Sequence, residues 1–189
     1  MLLSRSALLV PLVALGLIAL PVTASIKALN LEETLEIHSD VVHGTIVSKD
    51  TLVLDHPEAG SVYTRLTIEG ESVVTGSKAT TTAVFMGSHD PADRFNHSEM
   101  PELKDTRVGN EVLVFTFADE RLEGRNLIYN LGGVFRVERG FGEAVVIGKG
   151  EGFAFAANTR LDEATRSVRD TWEVVLAKRA LQSVTPSGK

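Results

Sequence analysis

His89, Asp90, Asp93, Arg94, His97 and Glu99 fall within eleven residues and bring two imidazoles together with carboxylates and a guanidinium. Imidazole nitrogens and carboxylate oxygens together suit zinc, calcium or manganese, and a cation held by His89, Asp93 and His97 would activate water for hydrolysis. The spacing matches no zincin, EF-hand or zinc-knuckle pattern, and solvated loops collect the same residue types. The cluster therefore reads first as a binding loop, with no metal or other cofactor expected. A metal-binding protein or metal-assisted hydrolase using residues 89–99 is the alternative. His43 lies in an otherwise apolar stretch and reads as a hydrogen-bonded structural histidine.

Other chemistries find less support. The chain has no cysteine, which excludes thiol catalysis and disulfide scaffolds, and it contains no G-x-S-x-G elbow. Glu32-Glu33 and Asp162-Glu163 are sequence neighbours on expected helices, so each pair points to two sides and cannot flank one bond. Around Lys149, Glu143 stands where a phosphate-binding loop needs its first glycine and Gly150 replaces the Ser or Thr. Gly140, Gly142, Gly148, Gly150 and Gly152 read instead as turns and bends. A net charge of -6 and an aromatic content of 6% argue against nucleic acid. No catalytic residue is assigned, and the chain reads as noncatalytic.

The elements that must position the loop are mainly strands. Asn30 and Glu33 have capping-box spacing and predict a helix to about Asp40. Val41–Leu54, rich in β-branched residues, predicts a strand that bends at Gly44. Val62–Ile68 alternates with period two and predicts its hairpin partner across a tip at residues 55–61. Further strands are expected at Ala79–Met86 and at Val112–Phe117, the latter covered on both faces, with Ser88–Glu111 as a long unpatterned loop between them. Leu127–Val137 and Ala144–Ile147 predict two more strands, and Phe153–Ala157 a short apolar piece. From Leu161 the period becomes helical, with Leu161, Thr165, Val168, Trp172, Val175 and Leu176 on the core face and Trp172 as its buried anchor. Residues 183–189 are expected to form a tail without structure.

Residues 1–24 read as a signal peptide: Arg5, the apolar run Ala7–Leu20, Pro21, and Val22-Thr23-Ala24 before a cleavage at Ser25. Removing them takes away only Arg5, leaving 25 acids against 18 bases and a net charge of -7. The expected product is a secreted or periplasmic protein without stable membrane insertion. It would consist of one β-barrel domain over residues 25–182, with no linker dividing it, although the Gly-rich stretch Gly132–Gly152 could separate the barrel from a C-terminal appendage.

The run SDVVHGTIVS, VYTRLTIEGESVVTG, TTTAVFMG and VGNEVLVF, with turn glycines at Gly44, Gly76, Gly87 and Gly109, resembles the OB-like barrels of the netrin and tissue-inhibitor-of-metalloproteinases class, and a set of secreted bacterial proteins with that pattern. The resemblance covers residues 39–115 and implies an OB or netrin-like barrel, here with a short N-terminal helix and a C-terminal amphipathic helix. The eukaryotic inhibitors begin with a zinc-chelating cysteine; this chain would begin Ser25-Ile26, so none of their functional residues carries over. What remains is a binding module that recognises another exported protein through residues 88–111 and the tip at 55–61. A protease is the partner class implied by the resemblance.

Overall fold

The computed structural model describes residues 28–54, 62–93, 99–140 and 142–184. Residues 1–24, the tip expected at 55–61, and Arg94 and His97 lie outside the described residues, as do Asn96-His97-Ser98, whose spacing is that of a glycosylation acceptor, and residues 185–189. Among the described residues no helix is long and apolar enough to cross a membrane.

Helix α1 (Leu31–Ile37) opens on the expected capping box, with Asn30 Oδ1 accepting from Glu33 N–H and Glu33 accepting from Asn30 N–H, both at 3.0 Å. Strands β1 (Asp40–Val53), β2 (Val62–Ser72) and β3 (Lys78–Met86) follow, then β4 (Glu111–Asp119) and a short β5 (Arg125–Leu127). Pairings β1–β2, β2–β3, β4–β5 and β1–β4 are antiparallel and β3–β5 is parallel, so these five strands form a ring. Gly44 and Gly70 face each other where β1 crosses β2. A Cβ on Gly44 would strike the Glu69 carbonyl, and one on Gly70 the His43 carbonyl, so the backbones approach there as only glycine permits.

Strand β4 carries more than the ring. Its first half also pairs with β6 (Val134–Gly140), which continues the sheet through β7 (Glu143–Val146) to β8 (Thr159–Arg160). Alternate β4 side chains therefore serve two cores. Val112 and Val114 point into the ring with Ile46, Leu66, Ile68 and Phe85. Leu113 and Phe115 point outward to a second core, where Phe135 and Phe155 meet Leu35 of α1 and Val168 and Val175 of α2 (Leu161–Val184). Phe115, Phe135 and Phe155 meet with ring centroids 5.2–6.4 Å apart, the favoured edge-on or tilted geometry.

Several expectations are corrected. The strand expected over Leu127–Val137 is broken at Asn130, whose side chain accepts from Gly132 N–H at 2.8 Å and opens a 3-10 turn at Leu131–Gly133. The short apolar piece Phe153–Ala157 has irregular backbone, from which Phe155 is buried in the second core. Trp172 is only partly buried, with the Arg179 guanidinium 5.2 Å from its ring centre, and Leu176 is exposed. The central helix contacts are Ala164, Val168 and Val175. Arg179 also explains how the helices are joined, because its guanidinium donates to the Leu35 and Glu36 carbonyls at 3.1 and 3.0 Å and closes the end of α1. Asp162 pairs with Arg160, and Lys178 bridges to Glu32. The terminal helix runs on through Ser183 and Val184.

Phe135→Ala should cost about 3–5 kcal/mol in denaturant unfolding, as a fully buried aromatic does, whereas Trp172→Ala should cost roughly half as much. Equal losses would return Trp172 to the role of central anchor.

Candidate functional site

The connection from β3 to β4 is built from the inside out. It leaves β3 at Gly87, whose N–H donates to the Val62 carbonyl at 2.9 Å, and Ser88 is buried. Ser88 Oγ donates to Asp93 Oδ2 at 2.5 Å, and Thr51 Oγ1 on β1 donates to the same oxygen at 3.3 Å. Asp90 Oδ1 accepts from Ala92 N–H at 2.8 Å and opens the 3-10 turn Pro91–Asp93. Asp90 and Asp93 thus shape the turn.

His89 lies beneath the loop. Lys49 Nζ donates to His89 Nδ1 at 3.1 Å and His89 Nε2–H donates to the Pro101 carbonyl at 2.9 Å, which fixes the neutral tautomer. Burial holds its pKa below the ordinary value, and the Lys49 charge pushes in the same direction. The nitrogen lone pair that a metal would need faces an ammonium group. Among the described residues no group of three His, Asp or Glu is placed to hold a metal ion.

The second half of the loop is clamped more strongly. Asp105 and Thr106 are buried. Lys149 Nζ reaches Asp105 Oδ2 at 2.5 Å with both side chains under a tenth exposed, and Arg136 Nε lies 3.8 Å from Oδ1. Lys49 also donates to Thr106 Oγ1 at 3.2 Å. The loop closes along β1, with Gly109 N–H donating to the Ile46 carbonyl at 2.8 Å and Ile46 N–H to Asn110 at 3.0 Å. In the sequence Lys149 stands only as a lysine of an incomplete phosphate-loop pattern, and its place after Gly148 gives no sign of a partner 44 residues upstream.

The loop turns different residues outward. Glu102, Leu103 and Lys104 are exposed, as are Arg107 and Val108. Among the described residues, Leu103 and Val108, 49% and 58% exposed, are the large apolar side chains it presents, and Val47, next to Ile46 on β1, is exposed beside its closing turn. Glu99 lines a small notch of about 40 Å³ with Met100, Pro101, Phe85 and Tyr129, and Tyr129 is half exposed. Sequence reasoning chose the polar residues and passed over Leu103 and Val108, which carry no periodic pattern.

His43 belongs to a separate outer cluster. Its Nε2–H donates to Glu111 Oε1 at 2.8 Å, and Arg139 grips the same carboxylate through two bonds of 2.6 Å. The Arg139 bonds hold the Glu111 carboxyl below its ordinary pKa, with His43 adding to the effect. A cleft of about 400 Å³ beside it is lined by Thr45, Glu71 and Lys78, but none of these is hydrogen-bonded to His43. The cluster is an ion-paired brace between β1, β4 and β6.

Removing one partner of the buried pair, as in Lys149→Met or Asp105→Leu, should cost about 3–5 kcal/mol, while the double replacement should recover most of it. Additive losses in that cycle would show that the two side chains act separately. Acid should act through the histidines, because burial also holds His38 below the ordinary value of 6.5. Below about pH 6.5 the unfolded chain takes up protons that native His38 and His89 refuse, so stability should fall from there toward pH 5 and return as pH rises. His89→Gln should flatten part of that slope; an unchanged slope would remove His89 from it. Comparison with protein-family models, curated proteins and solved structures finds no match for this chain, so its reading rests on the geometry alone.

Proposed function

We propose that the chain is a noncatalytic recognition module built on an OB-like barrel, exported after removal of residues 1–24, which binds another exported protein through the outer surface of residues 88–111. The ring order β1-β2-β3-β5-β4, closed by β1–β4 and a parallel β3–β5 contact, supports the barrel reading. One observation carries the functional reading: the loop is fixed from beneath by buried Ser88, Asp105 and Thr106 while Leu103 and Val108 face solvent. A connection that served only to join β3 to β4 would be shorter and would not need buried ion pairs. Clamping a long loop in one conformation before binding reduces the ordering cost of association, and exposed apolar side chains on it supply contact area.

The double variant Leu103→Asp, Val108→Asp should keep unfolding stability within about 0.5 kcal/mol, as surface changes do. It should also weaken binding of the exported partner at least tenfold, equivalent to about 1.4 kcal/mol, by titration calorimetry against the protein that co-purifies with the unaltered chain. Unchanged affinity would place recognition elsewhere.

A further inference from the structure

Strand β3 is paired unequally on its two edges. It is bonded to β2 from Lys78 to Met86 but to β5 only at Ala83 and Val84. The Val84 carbonyl accepts from Ile128 N–H at 2.8 Å and so faces β5. Strand alternation then turns the backbone groups of Thr82 and Thr80 toward the same edge, and Asn126 Nδ2 does reach the Thr82 carbonyl at 3.4 Å. Beyond Asn126 the neighbouring chain turns away through Gly124 and Glu123, which have φ of 75° and 57°. Among the described residues, no partner meets the N–H and C=O of Thr80 or the N–H of Thr82 on this edge.

These groups border a cleft of about 470 Å³ lined by Arg65, Thr80, Thr82, Arg125 and Asn126 among others. The charged side chains lining it are the two guanidiniums. Each is held from outside the cleft by an exposed carboxylate, Arg65 by Asp50 at 2.7 Å and Arg125 by Glu123 at 3.1 Å. Exposed pairs of this kind are weak and exchange partners readily.

We propose that the open edge of β3 at Lys78–Thr82 accepts an added strand, an extended acidic peptide bonded to the Thr80 N–H and C=O and the Thr82 N–H, with its carboxylates over Arg65 and Arg125. Main-chain bonds supply the docking and the cations choose the side chains. A second copy fits less well, because edge-to-edge pairing would bring two cationic clefts together. The surface is independent of the loop at 88–111, so either reading can fail without the other.

The test is titration of the full chain with a blocked octapeptide of alternating Thr and Glu. Two further peptides are N-methylated at every Thr or at every Glu, and a fourth has Lys in place of Glu. Strand addition requires that one N-methylated set lose binding at least tenfold and the other keep it, since only one edge of the added strand faces β3. The Lys peptide should not bind, and Arg125→Gln should weaken binding severalfold. Thr80→Pro removes a donor on the open edge and no bond to β2, so it should abolish binding in a folded protein. Should that variant fail to fold, the N-methylated peptides on the unaltered chain still decide. Equal binding of both N-methylated sets would reduce the contact to charge attraction and overturn the proposal, as would absence of binding by the acidic peptide. Concentration-dependent dimerisation abolished by Thr80→Pro would give the edge to a second copy instead.

Discussion

Burial of β4 on both faces is the constraint on which the rest of the structure depends. Four consecutive residues, Val112 to Phe115, are fully inaccessible to water. Such a run is stable only if something apolar covers each side, at about 25 cal/mol for each Å² removed from water. The ring supplies one cover for Val112 and Val114, and the α1–α2 pair with Phe135 and Phe155 supplies the other for Leu113 and Phe115. The C-terminal elements are therefore the second wall of the core, and they join the same sheet through β6. His38 sits at this boundary, with its ring edge-on to Phe115 and Phe117 at 5.9 and 5.6 Å and its Nδ1–H bonded to the Thr34 carbonyl at 2.6 Å.

The same arrangement explains why the long loop has a shape. To enter β4 the chain must return past β1, and it does so by borrowing the Ile46 backbone groups through Gly109 and Asn110. Asp105 then falls beside β6 and the turn that carries Lys149, where water is excluded. A carboxylate in that position carries a large desolvation cost, which the Lys149 ammonium offsets only in one geometry. The ion pair adds little net stability over an apolar substitute, yet it selects a single loop conformation from many. That selection links packing to the proposed recognition surface: the second core fixes Lys149, Lys149 fixes Asp105, and the loop holds Leu103 and Val108 in solvent.

What was legible in the sequence follows the range of the interaction concerned. The capping box at Asn30, the alternation in β2 and the continuous apolar run of β4 are local patterns, and each marked its element. The break at Asn130 was hidden because Leu127 to Val137 is apolar enough to read as one strand, and only the side-chain bond to Gly132 shows the turn. Trp172 was misjudged because helical spacing gives a face but not its depth, and the ring lies at the rim with Arg179 over it. At the candidate site the polar residues were visible and their direction was not. His89 and Asp93 look like ligands in a list of residue types, whereas in space Lys49, Ser88 and Thr51 already occupy them. The Asp105–Lys149 pair spans 44 residues, and no local pattern encodes it.

The account stands or falls on whether the loop is held in one conformation in the free protein, and amide hydrogen exchange resolved residue by residue measures this directly. The Gly109 amide is bonded to β1, and the Asp105 and Thr106 amides, on buried residues, are bonded to the Glu102 and Leu103 carbonyls of the turn before them. Protection of these three within about a hundredfold of the β4 amides, and its collapse in Lys149→Met while β2 and β3 remain protected, is the result expected of a loop clamped in the free protein. Exchange of residues 99–110 at the rate of an unstructured chain, in a protein whose β4 amides are slow, would contradict it.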